Sequence, residues 1–126
     1  MELTAQELRI GNLVQIVKYW KDFYDENYFI PKEINLDDLR AINNFKDIAK
    51  PIPLTEEWLL RFGFIRKYVS HTPYILNDIS IYPTDANFYN IVYYKGVKID
   101  DIILKSVSQL QNLYFSLTNN ELKLIK

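Results

Sequence analysis

The sequence predicts an α+β fold, an antiparallel sheet of about five or six strands with two or three packed helices. Strand-like runs rich in β-branched and aromatic residues follow one another with turn signals between them, which disfavours a parallel, doubly wound sheet. Helical spacing of apolar residues is found in three capped segments, at residues 35–43, 55–62 and 106–118. No repeat, low-complexity tract or linker interrupts the chain, so residues 1–126 read as a single domain.

In chain order, the turn signal Gly11-Asn12 precedes a first strand over residues 13–20. A polar loop over residues 21–27 leads to a second strand over residues 28–34. Pro31 confines that strand to an edge or a bulge because proline donates nothing to a ladder. The two strands form a hairpin. Asn35 then caps a short helix, with Asp37 and Asp38 in the first turn at the positive end of its dipole and Leu36, Leu39 and Ile42 on one face. Residues 45–54 read as irregular and extended, since Pro51 and Pro53 each bias the preceding residue away from helix. Thr55 caps a second helix with Glu56 and Glu57 in its first turn, an apolar stripe of Trp58, Leu59 and Phe62, and Gly63 at the left-handed stop. Residues 64–69 read as a strand, 70–73 as a turn, 74–82 as one strand or two pieces, 83–87 as a turn and 88–94 as a further strand. Lys95-Gly96 turns the chain into residues 97–99. Ser106 caps a last helix, residues 107–118, which places Val107, Leu110, Tyr114 and Leu117 on one face and stops at Asn119.

The hydrophobic content of 48% and charged content of 25% belong to a globular protein. With 15 basic and 16 acidic residues there is no broad positive field to supply non-specific nucleic-acid affinity. The absence of cysteine excludes a disulfide framework and a cysteine-based zinc site. No apolar run approaches the roughly 20 residues that span a bilayer, and the amino terminus has no signal-peptide pattern, so the expectation is a cytoplasmic protein without a membrane span. Ile, Asn, Lys, Tyr and Phe, all with AT-rich codons, make up over two-fifths of the chain. The 10 tyrosines therefore reflect an AT-rich coding sequence as readily as a binding surface.

Three segments resemble an uncharacterised family of small proteins from Bacteroidetes and their phages and prophages. They are Glu7-Leu8-Arg9-Ile10-Gly11-Asn12-Leu13-Val14, residues 51–64 with the run Pro-Ile-Pro-Leu-Thr-Glu-Glu-Trp-Leu-Leu and a Phe-Gly-Phe tail, and residues 109–118. The likeness covers both ends and the centre of the chain; residues 68–101 carry little of it. The family pattern often has histidine where this chain has Ser108 and glycine where it has Asn119. Asn119 preserves the left-handed stop, whereas the missing histidine removes a position for chemistry. The resemblance implies origin on a mobile genetic element and no activity.

Candidate sites are few. His71 lies in a polar turn with no second histidine or cysteine to share a metal, and reads as a turn residue. Asp37-Asp38 and Glu56-Glu57 are explained by helix starts; Asp100-Asp101 follows a strand and reads as a turn, because a hard cation needs several converging oxygens. Gly11, Gly63 and Gly96 stand too far apart for a phosphate loop. The strand over residues 88–94 alternates so that Tyr89, Ile91 and Tyr93 line one face and Phe88, Val92 and Tyr94 the other, the pattern of a strand buried on both sides. Its functional alternative is a binding face made of Tyr89, Tyr93 and Tyr94 with Arg66, Lys67, Lys95 and Lys98. These observations predict a non-enzymatic accessory protein of phage or prophage origin that binds a protein partner. It needs no cofactor or metal, and self-association remains open. The alternative is a small nucleic-acid-binding domain using the same tyrosines and basic residues.

Overall fold

A computed structural model describes residues 8–17, 29–44, 48–66, 72–83, 89, 91–100 and 102–125. The chain is α+β: β1 (Leu13–Val17), β2 (Phe29–Glu33), α1 (Leu36–Asn44), β3 (Ala49–Lys50), α2 (Glu56–Arg61), β4 (Ile65–Arg66), β5 (Tyr74–Leu76), β6 (Ile79–Tyr82), β7 (Ile91–Tyr94), β8 (Val97–Ile99) and α3 (Val107–Thr118). The strands form two antiparallel sheets, ordered β2-β1-β3 and β4-β5-β6-β7-β8, where the sequence predicts one. By contacts the chain groups into two compact units, Met1–Pro53 with Ser106–Asn112, and Leu54–Lys105 with Leu113–Lys126.

In the first unit, β1 and β2 form the expected hairpin, and Pro31 sits opposite Gln15 on an edge strand, where its missing N–H costs least. The strand β3 lies inside the segment expected to be irregular. Two residues are too few to show a period of two, so only the pairing of Gln15 with Lys50 and Ile16 with Ala49 reveals it. Asn35 caps α1 reciprocally: its Oδ1 accepts from the Asp38 N–H at 2.9 Å, and Asp38 Oδ2 accepts from the Asn35 N–H at 3.1 Å. The buried Asp38 carboxylate also meets Lys32 Nζ at 2.9 Å, which offsets the cost of taking it out of water. Val14, Ile16, Ile34, Ala41, Ile42, Ile48 and Ala49 form the core around Leu8, while Leu36 is exposed.

A buried polar network also holds the start of α3 in this unit. Gln111 Oε1 accepts from the Leu13 N–H at 2.7 Å, and its Nε2 donates to the Gly11 carbonyl at 3.3 Å. Asn12 Nδ2 donates to Asn112 Oδ1 at 2.9 Å, and Arg9 Nε donates to the same oxygen at 2.8 Å. Ser106 and Gln109 form a capping box: Ser106 Oγ accepts from the Gln109 N–H at 3.3 Å, and Gln109 Oε1 from the Ser106 N–H at 3.1 Å. The turn before β1 and the start of α3 therefore meet as a structural clamp. Ser108 is buried, with its Oγ 3.3 Å from that of Ser106.

In the second unit, the Thr55 hydroxyl accepts from the Trp58 N–H and caps α2. The helix ends in a Schellman motif, Phe64 N–H to the Leu59 carbonyl and Gly63 N–H to the Leu60 carbonyl, both at 3.0 Å, with Gly63 at φ +96°. The carboxy-terminal segment lies along this turn: the Ile125 N–H reaches the Arg61 carbonyl at 2.8 Å, and a Cβ on Gly63 would stand 3.3 Å from Ile125 Cδ1. Residues 74–82 are two strands, joined by Asn77-Asp78 at φ 45° and 69°, and Lys95-Gly96 joins β7 to β8 at φ 51° and 80°. Both loops have two residues with positive φ, as type I′ hairpin turns demand. Ile79, Ile81, Val92 and Tyr74 are buried on one face of the sheet, and Leu59, Phe62, Phe64, Leu104, Tyr114 and Leu122 are also buried in this unit. Asn119 ends α3 at φ 60°. Among the described residues no helix is long and apolar enough to cross a membrane. The expected loop over residues 21–27, most of the turn over residues 83–87, His71 and Asp101 lie outside the described residues.

Candidate functional site

The antiparallel register sorts the five-stranded sheet into two faces. Ile65, Ile75, Ser80, Tyr93 and Lys98 are successive cross-strand partners, so they form one row from β4 to β8. Tyr82 and Ile91, themselves paired, share that face, and the Tyr82 and Tyr93 rings meet edge to face with centroids 5.6 Å apart. Ile65 is 71% exposed and Ile75 45%, Lys98 is exposed, and Ser80, Tyr82, Ile91 and Tyr93 are half-buried. The opposite row, Arg66, Tyr74, Ile81, Val92 and Ile99, contains the buried side chains.

The residues nominated from the sequence are thereby separated. Tyr93 and Lys98 lie side by side on the outer face. Tyr94 points to the other face opposite Ile79, and the Lys95 amine lies 5.4 Å from its ring centroid. Arg66 belongs to the inner row, Lys67 lies outside the described residues, and Tyr89 leaves the β7 ladder to bridge Leu104. Phe88 and Asn90 lie outside the described residues, and β7 itself is neither wholly buried nor a single aromatic platform: Val92 is fully buried while Tyr93 and Ile91 are half-open. Sequence reading missed Ile65, Ile75 and Tyr82. Once Asn77-Asp78 is read as a two-residue turn, alternation along β5 and β6 places Ile75, Ser80 and Tyr82 together.

A polar cluster on the inner side joins β4 and β5 to the start of α2. The Tyr74 hydroxyl donates to Glu56 Oε2 at 2.5 Å and accepts from Arg66 Nη1 at 3.2 Å. Arg66 Nη1 stands 3.8 Å from the same carboxylate oxygen, and the guanidinium carbon lies 5.0 Å from the Tyr74 ring centroid. Burial, and then the hydrogen bond and negative charge of Glu56, push the Tyr74 hydroxyl up to about 12. Burial, reinforced by the charge of Glu56, raises Tyr89 as well. Both hydroxyls stay protonated at neutral pH, and that of Tyr74 acts as a hydrogen-bond donor to Glu56 rather than as a base. Among the described residues no three His, Cys, Asp or Glu side chains gather as a metal site requires.

Fold and sites together define an α+β protein with an apolar outer sheet face and a Tyr–Arg–Glu cluster on the inner side. No family model, no curated protein and no solved structure matches the chain.

Proposed function

We propose that the chain is a non-enzymatic accessory protein of phage or prophage origin, acting in the cytoplasm, that binds a protein partner through the outer face of its five-stranded sheet. The observation that carries this is the registered row Ile65, Ile75, Ser80, Tyr93 and Lys98, two of whose isoleucines are 71% and 45% exposed. Exposed apolar side chains gathered on one face mark interaction surfaces more than scattered ones do. Lys98 is the one charged group of the row, so the matching surface is apolar with a carboxylate at its rim. The resemblance of the Pro51-to-Phe64 and Gln109-to-Thr118 segments supports the mobile-element origin.

The test is capture of partners from a host lysate by the native chain and by an Ile65→Lys, Ile75→Lys variant, each with nuclease. A nuclease-resistant partner held by the native chain and lost by a variant of unchanged melting temperature supports the reading; equal capture by both overturns it. The juxtaposition of Tyr93, Tyr82 and Lys98 favours a second reading, stacking of single-stranded nucleic acid. Binding of an oligonucleotide that weakens as salt rises and is lost in Tyr93→Ala would select that reading instead.

A further inference from the structure

Glu56 is held in an unusual way for an exposed carboxylate. Its side chain is 60% exposed, yet it receives the hydroxyl of a buried tyrosine and faces an arginine whose side chain is only 20% exposed. It does not satisfy that arginine: Nη1 is 3.8 Å away, beyond hydrogen-bond reach, and Arg66 Nε is buried with no hydrogen-bond partner among the described residues. A buried donor without an acceptor is costly, and a guanidinium is built to hold a carboxylate by two N–H groups at once. The Arg66 and Tyr74 donors are fixed by the sheet, being cross-strand partners on β4 and β5, whereas the carboxylate is the exposed and movable member.

We propose that Arg66 and Tyr74 form a carboxylate-binding site in which the Glu56 side chain is a resident stand-in, displaced when a ligand carboxylate arrives. The ligand is a free organic acid or the acidic side chain of a peptide. Arg66 supplies charge and N–H donors, the Tyr74 hydroxyl supplies the directional hydrogen bond, and its ring supports the guanidinium from below. The site is independent of the outer-face reading, because Arg66 and Ile65 lie on opposite faces of β4.

Tethering gives Glu56 an effective concentration of order millimolar or more, so the native chain binds external carboxylate weakly and removal of Glu56 unmasks the site. Acetate, with chloride at equal ionic strength as control, is titrated into the native chain, Glu56→Ala and Glu56→Ala/Tyr74→Phe. The readout is the side-chain Nε–H resonance of Arg66. Acetate is expected to move that resonance at a midpoint at least about tenfold lower in Glu56→Ala than in the native chain, and the added Tyr74→Phe change should raise the midpoint several-fold again. A capped Gly-Glu-Gly peptide in place of acetate distinguishes the sources. A midpoint below that of acetate assigns the site to peptide carboxylates, and one equal or higher assigns it to free acids. No acetate-specific movement in Glu56→Ala, or movement matched by chloride, overturns the proposal. Should Glu56→Ala not fold, Glu56→Gln, which keeps the side-chain length, gives the same comparison.

Discussion

Replacing Gln111 with methionine tests whether the polar clamp at the start of α3 carries stability. Methionine matches the length of glutamine and fills its space, so the change isolates hydrogen bonding from volume. The loss leaves the Leu13 N–H without its 2.7 Å acceptor. This N–H lies in β1, whose neighbour β3 pairs with Gln15 and Ile16, so among the described residues no strand is at hand to replace the side-chain amide. A buried donor left without a partner costs about 1–3 kcal/mol. The Gly11 carbonyl also loses its 3.3 Å donor, but Gly11 is half-exposed and water compensates much of that loss. Asn12 keeps its 2.9 Å bond to Asn112. The sum is about 2–3 kcal/mol, and at roughly 3–5 °C per kcal/mol for a chain of this size, melting should fall by about 6–15 °C. The assay is urea and thermal unfolding followed by far-ultraviolet circular dichroism. Gln15→Met serves as the comparator, since it removes a single 3.3 Å bond to the Pro51 carbonyl and should cost under about 1 kcal/mol. Equal effects of the two substitutions, or a loss below about 0.5 kcal/mol for Gln111→Met, would refute the reasoning.

Two further outcomes follow from local geometry. Asp78 holds φ 69° in a type I′ turn where glycine is at ease, so Asp78→Gly should stabilise the chain by about 0.5–1 kcal/mol in denaturant unfolding; destabilisation would contradict the turn assignment. Tyr74 titrates near 12 in the folded chain and near 10 when unfolded. Between those values the unfolded chain has released a proton that the folded chain keeps, so the contribution is complete below pH 10 and is lost as pH rises towards 12. Alkaline unfolding of Tyr74→Phe should lack this component, and an unchanged profile would show that the hydroxyl is not held as described.

Much of the helical structure was legible because it is written locally. Asn35, Thr55 and Ser106 each cap the helix expected of them, and Gly63 and Asn119 stop helices with positive φ. Such signals need only residues three or four apart along the chain. The Lys95-Gly96 turn was legible for the same reason, whereas Asn77-Asp78, which has no glycine, leaves residues 74–82 readable as one strand or two pieces, and the pairing of Leu76 with Ile79 divides them into two.

The binding-face residues were legible as types but not as a set. Alternation states that Tyr93 and Tyr94 point to opposite sides, but only pairing with Ser80 and Ile79 states which side is covered. Arg66 and Tyr89 were grouped with the sheet tyrosines by composition, and the structure places Arg66 beside Tyr74 and bridges Tyr89 to Leu104.

The sequence by itself determined the α+β class, the three helices with their caps and the β1–β2 hairpin, with Pro31 restricted to an edge or a bulge, because propensity, capping and periodicity act over a few residues. Tertiary structure alone decided the division into two sheets, the two-residue strand β3, the Gln111 clamp onto Leu13, the outer row that ends at Lys98 and the meeting of Glu56 with Tyr74 and Arg66. Each of these depends on register or on contacts between distant residues, and register is set by which face the whole sheet can bury rather than by any one strand.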